Sequence, residues 1–195
     1  MKFLLKLSGL IDRLSEHVGR IIMWLILLAV LLSAGNAIMR KAFRMGSNAL
    51  LDMQWYLFSG VFLLGAGYAF LKNVHVRIDF ISSRLSARAR SWIDAVGILV
   101  FLAPLCWLLI QMSWPLFVKA WQSGEMSQNA GGLIRWPVYL LLPAGMALLL
   151  LQSASEMIKR IAFLRGLIPD PLVHDQAKND SPAAIPSDNP PSEDG

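Results

Sequence analysis

Long apolar intervals alternate with short polar ones along the chain. No Asp, Glu, Lys or Arg interrupts the stretches between Arg20 and Arg40, Asp52 and Lys72, Asp94 and Lys119, or Arg135 and Glu156, which hold 19, 19, 24 and 20 residues. At about 1.5 Å rise per residue, helices of these lengths cross the ~30 Å hydrocarbon layer of a bilayer. The pattern predicts four spans at about 20–40, 52–72, 92–118 and 134–156. The expected fold class is therefore all-α: an integral membrane four-helix protein with interfacial amphipathic helices and a disordered C-terminal tail.

The segments between the spans carry their own periodicities. In residues 1–19, Phe3, Leu7, Leu10, Leu14 and Val18 recur at steps of three and four, with Lys2, Lys6, Arg13 and Glu16 on the other side. Such a segment either lies along the inner leaflet as an amphipathic helix or extends the first span into the cytoplasm. In residues 73–85, Val74, Ile78, Ile81 and Leu85 form a second apolar stripe, with His75, Arg77, Asp79 and Arg84 pointing elsewhere, as in an interfacial arm. Ser86 is placed to cap the next helix, whose first turns would stand in the headgroup region. The polar, Gly-rich run 122–132 predicts an outer loop, after which Trp136 and Pro137 open the fourth helix. From Pro169 the composition turns to Pro, Asp, Ser and Ala, so residues 166–195 are expected to form a disordered cytoplasmic tail.

Composition supports lipid as the solvent, since 55% of the 195 residues are hydrophobic and 16% charged. The net charge of +5 comes from 18 Lys and Arg against 13 Asp and Glu. These cations flank the apolar runs, so the partner they imply is the phospholipid bilayer and no nucleic acid. Thirteen of them fall on the side of the two termini and the 73–85 loop, and five on the other. Both termini are therefore expected in the cytoplasm of a multi-pass bacterial inner-membrane protein. A competing reading takes Ile21 to Leu32 as a signal-peptide core with Ser33-Ala34-Gly35 as its cleavage region, which would leave three spans.

The spans are poor in reactive chemistry. A charge at mid-bilayer costs at least ~2.5–3.5 kcal/mol, so a carrier places one there when an ion path needs it; here Asp52, Asp94, Arg135 and Glu156 mark span ends. A haem anchor needs axial histidines within its spans, whereas His17, His75 and His174 lie outside them. Intramembrane proteolysis needs a Ser with a His, or paired Asp residues, and the lone Cys106 supplies neither a disulfide frame nor a metal site. No enzymatic activity, cofactor or metal is expected. What the spans offer is packing surface: Ala29, Ser33 and Ala37 on the first, and Ser59, Gly60, Ala66 and Gly67 on the second, suited to close helix approach within the bundle or against a partner. Trp24, Trp55, Tyr56, Trp92, Trp114, Trp136 and Tyr139 lie mostly near span ends, where aromatic anchors belong.

In order along the chain stand Asp52-Met53-Gln54-Trp55-Tyr56-Leu57-Phe58, Phe62-Leu63-Leu64-Gly65-Ala66-Gly67-Tyr68, His75-Val76-Arg77-Ile78-Asp79, Gly131-Gly132-Leu133-Ile134-Arg135-Trp136-Pro137 and Leu151-Gln152, followed by Ser155-Glu156 and Ile158-Lys159-Arg160. This set, over roughly residues 20–165, resembles the small membrane subunit, DctQ-like, of tripartite ATP-independent periplasmic (TRAP) transporters. Asp52 stands where such subunits more often carry Glu. The resemblance implies a small permease subunit whose partners are a large, M-type permease subunit and a periplasmic substrate-binding protein. Together they would take up an organic acid with sodium. It also implies that substrate and ion sites belong to the large subunit, with this chain widening a stationary scaffold. On that basis Asp52, Trp55, His75, Arg77, Asp79, Glu125, Arg135 and Trp136 are the expected contacts to subunit or membrane. The alternative is a membrane anchor or assembly subunit of another complex, using the same packing faces.

Overall fold

The computed structural model describes residues 2–44, 46–72 and 86–168. The expected arm 73–85, with His75, Arg77 and Asp79, and all but the first three residues of the expected tail 166–195 lie outside the described residues. The elements are α1 (Lys2–Phe43), α2 (Asn48–Leu71), α3 (Ala87–Gly97), a π-helical turn (Ile98–Leu102), α4 (Ala103–Ser123) and α5 (Trp136–Leu164). Helix α3, the π turn and α4 run on as one rod, so four helices are long and apolar enough to cross a membrane. A helix satisfies every backbone amide within its own segment, which lipid demands.

Local chemistry explains where these helices begin and bend. Ser86 caps α3 by accepting from the Ala89 amide at 3.3 Å, as its position predicts. Trp136 and Pro137 open α5 as expected. The π turn precedes Pro104, which has no amide hydrogen and whose ring crowds the carbonyl four residues back. The helix widens there, and the Ala103 amide bonds back to the Ile98 carbonyl. Residues 2–19 are continuous with the first span, forming the first turns of α1.

Helix α5 packs against α1, α2 and α4, and α2 also packs along α1. The α2–α5 crossing is tight because it is built on small residues. A Cβ added to Gly145 would lie 2.6 Å from the Leu63 carbonyl oxygen, so only glycine lets the backbones meet there. Gly60 and Gly67 of the small-residue stripe likewise face Leu141 and Leu148 of α5. The first-span ridge differs, for Ala29 and Ser33 line an open groove between α1 and α2.

Burial is inverted relative to a water-soluble domain. Trp24, Phe62, Phe101 and Met112 stand exposed on the lateral surface, while Ser8, Ser15, Asn36, Gln152, Ser155, Glu156 and Arg160 are buried. Between helices in lipid there is no hydrophobic driving force, so packing and polar contacts hold the bundle together.

Candidate functional site

Polar side chains gather at two levels, one at each end of the bundle. On α2 the levels are marked by Asp52 and Lys72, twenty residues and therefore about 30 Å apart. That spacing matches the hydrocarbon thickness.

The first level is built around the connection from α4 to α5. Gly124, in the left-handed region at φ 61°, ends α4, and the chain then folds back on itself. Met126 pairs with Ile134 in an isolated antiparallel bridge, the Ser127 amide donates to the Leu133 carbonyl, and the Arg135 amide donates to the Glu125 carbonyl. Three residues on one face of α2, spaced by four, hold this loop. Asn48 Nδ2 donates to the Ala130 carbonyl at 3.1 Å. Asp52 accepts from Asn129 Nδ2 at 2.8 Å and from the Leu133 amide at 3.2 Å. The Tyr56 hydroxyl donates to the Ile134 carbonyl at 3.1 Å.

Gly132 is required by this fit, since a Cβ there would come 2.6 Å from Asp52 Oδ2 and equally close to Ser127. Arg135 closes the loop with a 2.7 Å bond from Nη1 to Glu125 Oε1, and its guanidinium lies over the Tyr139 ring. The hydrogen bond to Glu125 pushes the Arg135 pKa above its already high ordinary value. Trp136 meets Trp121 edge to face, with ring centroids 4.6 Å apart.

The second level is an ionic network joining three helices. Asp12 of α1 accepts from Gln152 Nε2 at 3.0 Å and Ser155 Oγ at 2.8 Å, and pairs with Lys159 at 2.7 Å, all three on α5. Lys159 also reaches Glu156 at 2.9 Å, and Glu156 pairs with Arg160 at 2.6 Å. Arg160 then crosses to Asp94 of α3, with Nη2 3.1 Å and Nε 3.3 Å from Oδ2. On either side of Asp12 along α1, Ser15 donates to Gln152 Oε1 at 2.6 Å, and Ser8 and Ser155 share a hydroxyl contact of 2.7 Å. Gln152, Glu156 and Arg160 are 0%, 1% and 2% exposed. Glu16 and Lys72, 3.6 Å apart, add a looser tie from α1 to the end of α2.

Of the residues singled out from sequence, Asp52, Glu125, Arg135 and Trp136 come together at the first level. Trp55 does not join them; it points outward beside the α1–α2 groove. His75, Arg77 and Asp79 lie outside the described residues. Sequence reading overlooked Asp12 and placed Asp94 and Glu156 merely as end markers, although these carboxylates and their partners build the second level. A signal was present: Ser8, Asp12 and Ser15 repeat at steps of four and three, as do Gln152, Ser155 and Lys159.

Chemically both levels are closed. Each described carboxylate at the second level has a donor or cation opposite it, and no group of three metal-ligating side chains forms among the described residues. The arrangement fixes helices against one another and a loop against a helix. No curated protein and no solved structure matches the chain. The family model described as tripartite ATP-independent periplasmic transporters, DctQ component, matches residues 29–163, a stretch that holds both polar levels apart from their α1 partners. By that match, covering more than half its length, this four-span chain belongs to the DctQ family of TRAP transporter components.

Proposed function

We propose that this small permease subunit serves as a stationary scaffold for a large, M-type permease subunit, in sodium-driven uptake of an organic acid delivered by a periplasmic binding protein. The observation that carries the proposal is the distribution of ionisable groups. Among the described residues the Asp, Glu, Lys, Arg and His side chains sit at the two bundle ends, and the roughly 30 Å between contains none of them. A transport path for an organic anion and its coupling ions needs polar or unwound backbone positions near mid-membrane. Here that depth is filled by apolar side chains and by tight contacts such as Gly145 against Leu63.

The topology proposed with this role places both termini in the cytoplasm of the inner membrane, following the excess of Lys and Arg on that side. The loop level around Asp52 and Arg135 then faces the periplasm, where a binding protein docks. Asp52, Trp55, His75, Arg77, Asp79, Glu125, Arg135 and Trp136 are proposed as contacts to the companion subunit or the headgroups.

Reconstitution tests this reading. Proteoliposomes holding this chain with a large, M-type permease subunit, supplied with the binding protein and a sodium gradient, are expected to accumulate an organic acid. Those holding this chain alone are expected to accumulate none. Sodium-dependent uptake by the lone chain overturns the scaffold role.

A further inference from the structure

One lateral face of the α1–α2 hairpin carries two adjoining recesses of different character. The first, about 240 Å³, lies at the turn between the helices and is lined by Arg40, Arg44, Gly46, Ser47, Asn48 and Leu51. The second, about 620 Å³, is an apolar groove lined on α1 by Ile26, Ala29, Val30 and Ser33. Its α2 wall includes Trp55 and Phe58. That volume is in the range of small-molecule sites, ~300–1,000 Å³.

Helical spacing makes the recesses one feature. On α1, residues 26, 29, 33, 40 and 44 fall along a single stripe, and on α2 so do 47, 51, 54 or 55, and 58. Leu51 belongs to the cationic recess and Gln54, one turn on, to the groove. Ser33 lies seven residues, about 10 Å, below Arg40 along α1.

We infer that this hairpin face is a binding site for one anionic glycerophospholipid, its phosphodiester held by Arg40 and Arg44 and an acyl chain lying in the groove. Neither guanidinium has a carboxylate or hydrogen-bond partner among the described residues. Both stand at a span end, level with the headgroups. Guanidinium is the side chain best matched to phosphate, since its planar fork bonds two oxygens at once. Gly46 leaves the room that the Arg40 side chain occupies, for a Cβ there would crowd its Cγ at 3.1 Å. Below, the exposed faces of Trp55 (66%) and Phe58 (61%) form a flat apolar wall. The charge arrangement favours phosphatidylglycerol over phosphatidylethanolamine, whose ammonium would meet two like charges. This inference rests on the membrane-spanning fold and does not depend on which transporter the chain serves.

Native mass spectrometry of the full-length chain in mild detergent, titrated with dioleoyl phosphatidylglycerol or dioleoyl phosphatidylethanolamine, tests it. Wild type is expected to retain a single phosphatidylglycerol at concentrations where phosphatidylethanolamine is lost. Combining Arg40→Gln with Arg44→Gln is expected to weaken that retention about tenfold. Ser33→Trp, which fills the groove and leaves both arginines in place, is expected to abolish it, while Lys119→Gln, on another helix, leaves it unchanged. A benzoylphenylalanine photo-crosslinker at position 58 is expected to add the mass of one phospholipid when illuminated in membranes. Equal retention of both lipids by wild type, undiminished retention by the double variant, or crosslinking at 58 to a protein and to no lipid overturns the assignment.

Discussion

At one end of the bundle helix α2 holds a loop; at the other, α1, α3 and α5 hold one another. The loop end uses one helix face, on which Asn48, Asp52 and Tyr56 bond backbone groups of Ala130, Leu133 and Ile134, and Asp52 also accepts from the Asn129 side chain. The opposite end uses side chains on both sides: Asp12, Asp94 and Glu156 against Lys159 and Arg160, enclosed with Gln152 and Ser155. The difference separates two jobs. Loosening the first level frees a loop while the helices stay packed. Loosening the second leaves charges unpaired in a buried place and lets helices slide, because apolar faces in lipid fix register only weakly.

Substitutions should rank accordingly. Arg160→Ala removes the guanidinium that pairs with the buried Glu156 and bonds Asp94, and removing one partner of a buried pair costs about 3–5 kcal/mol. It is expected to give the largest fall in thermal unfolding midpoint in detergent. A combined Glu156→Leu and Arg160→Leu should fall less, because the buried carboxylate is removed together with the guanidinium it pairs with; a larger loss in the double variant would break the distinction. Next comes Gly145→Ala, whose methyl meets the Leu63 carbonyl oxygen. Forcing that crossing apart is expected to cost about 1–3 kcal/mol by the same midpoint.

Asp52→Ala is expected to leave the helices folded and to speed amide hydrogen exchange at Leu133 and its neighbours, with the midpoint moving less than in Arg160→Ala. Smallest is Glu125→Gln. Its bond to Arg135 is more than one-third exposed on both sides, and pairs of that kind contribute less than about 1 kcal/mol. A midpoint shift from Glu125→Gln matching that of Arg160→Ala would erase the contrast between the ends.

The same contrast explains what was readable beforehand. The spans, the Ser86 cap and the opening of α5 at Trp136 and Pro137 follow from local rules, because run length, cap chemistry and proline position act within a few residues. Asp52, Glu125, Arg135 and Trp136 stood out because they mark span ends or sit in short ordered motifs. The network end was harder to see, since Asp12 meets Gln152 and Ser155 across 140 and 143 residues of chain. In α1 the conspicuous apolar stripe also misdirects: Phe3, Leu7, Leu10 and Leu14 are exposed, whereas Ser8 and Ser15 face the bundle.

Distances between spin labels in the assembled complex give the sharpest test of a stationary bundle. Labels at Met23 of α1 and Leu151 of α5, both on exposed faces, would be measured by pulsed electron resonance with and without sodium and substrate. A single narrow distribution that stays in place under both conditions is expected. A shift of a helical turn, about 5 Å, between them would contradict it, showing that these helices move with the transport cycle.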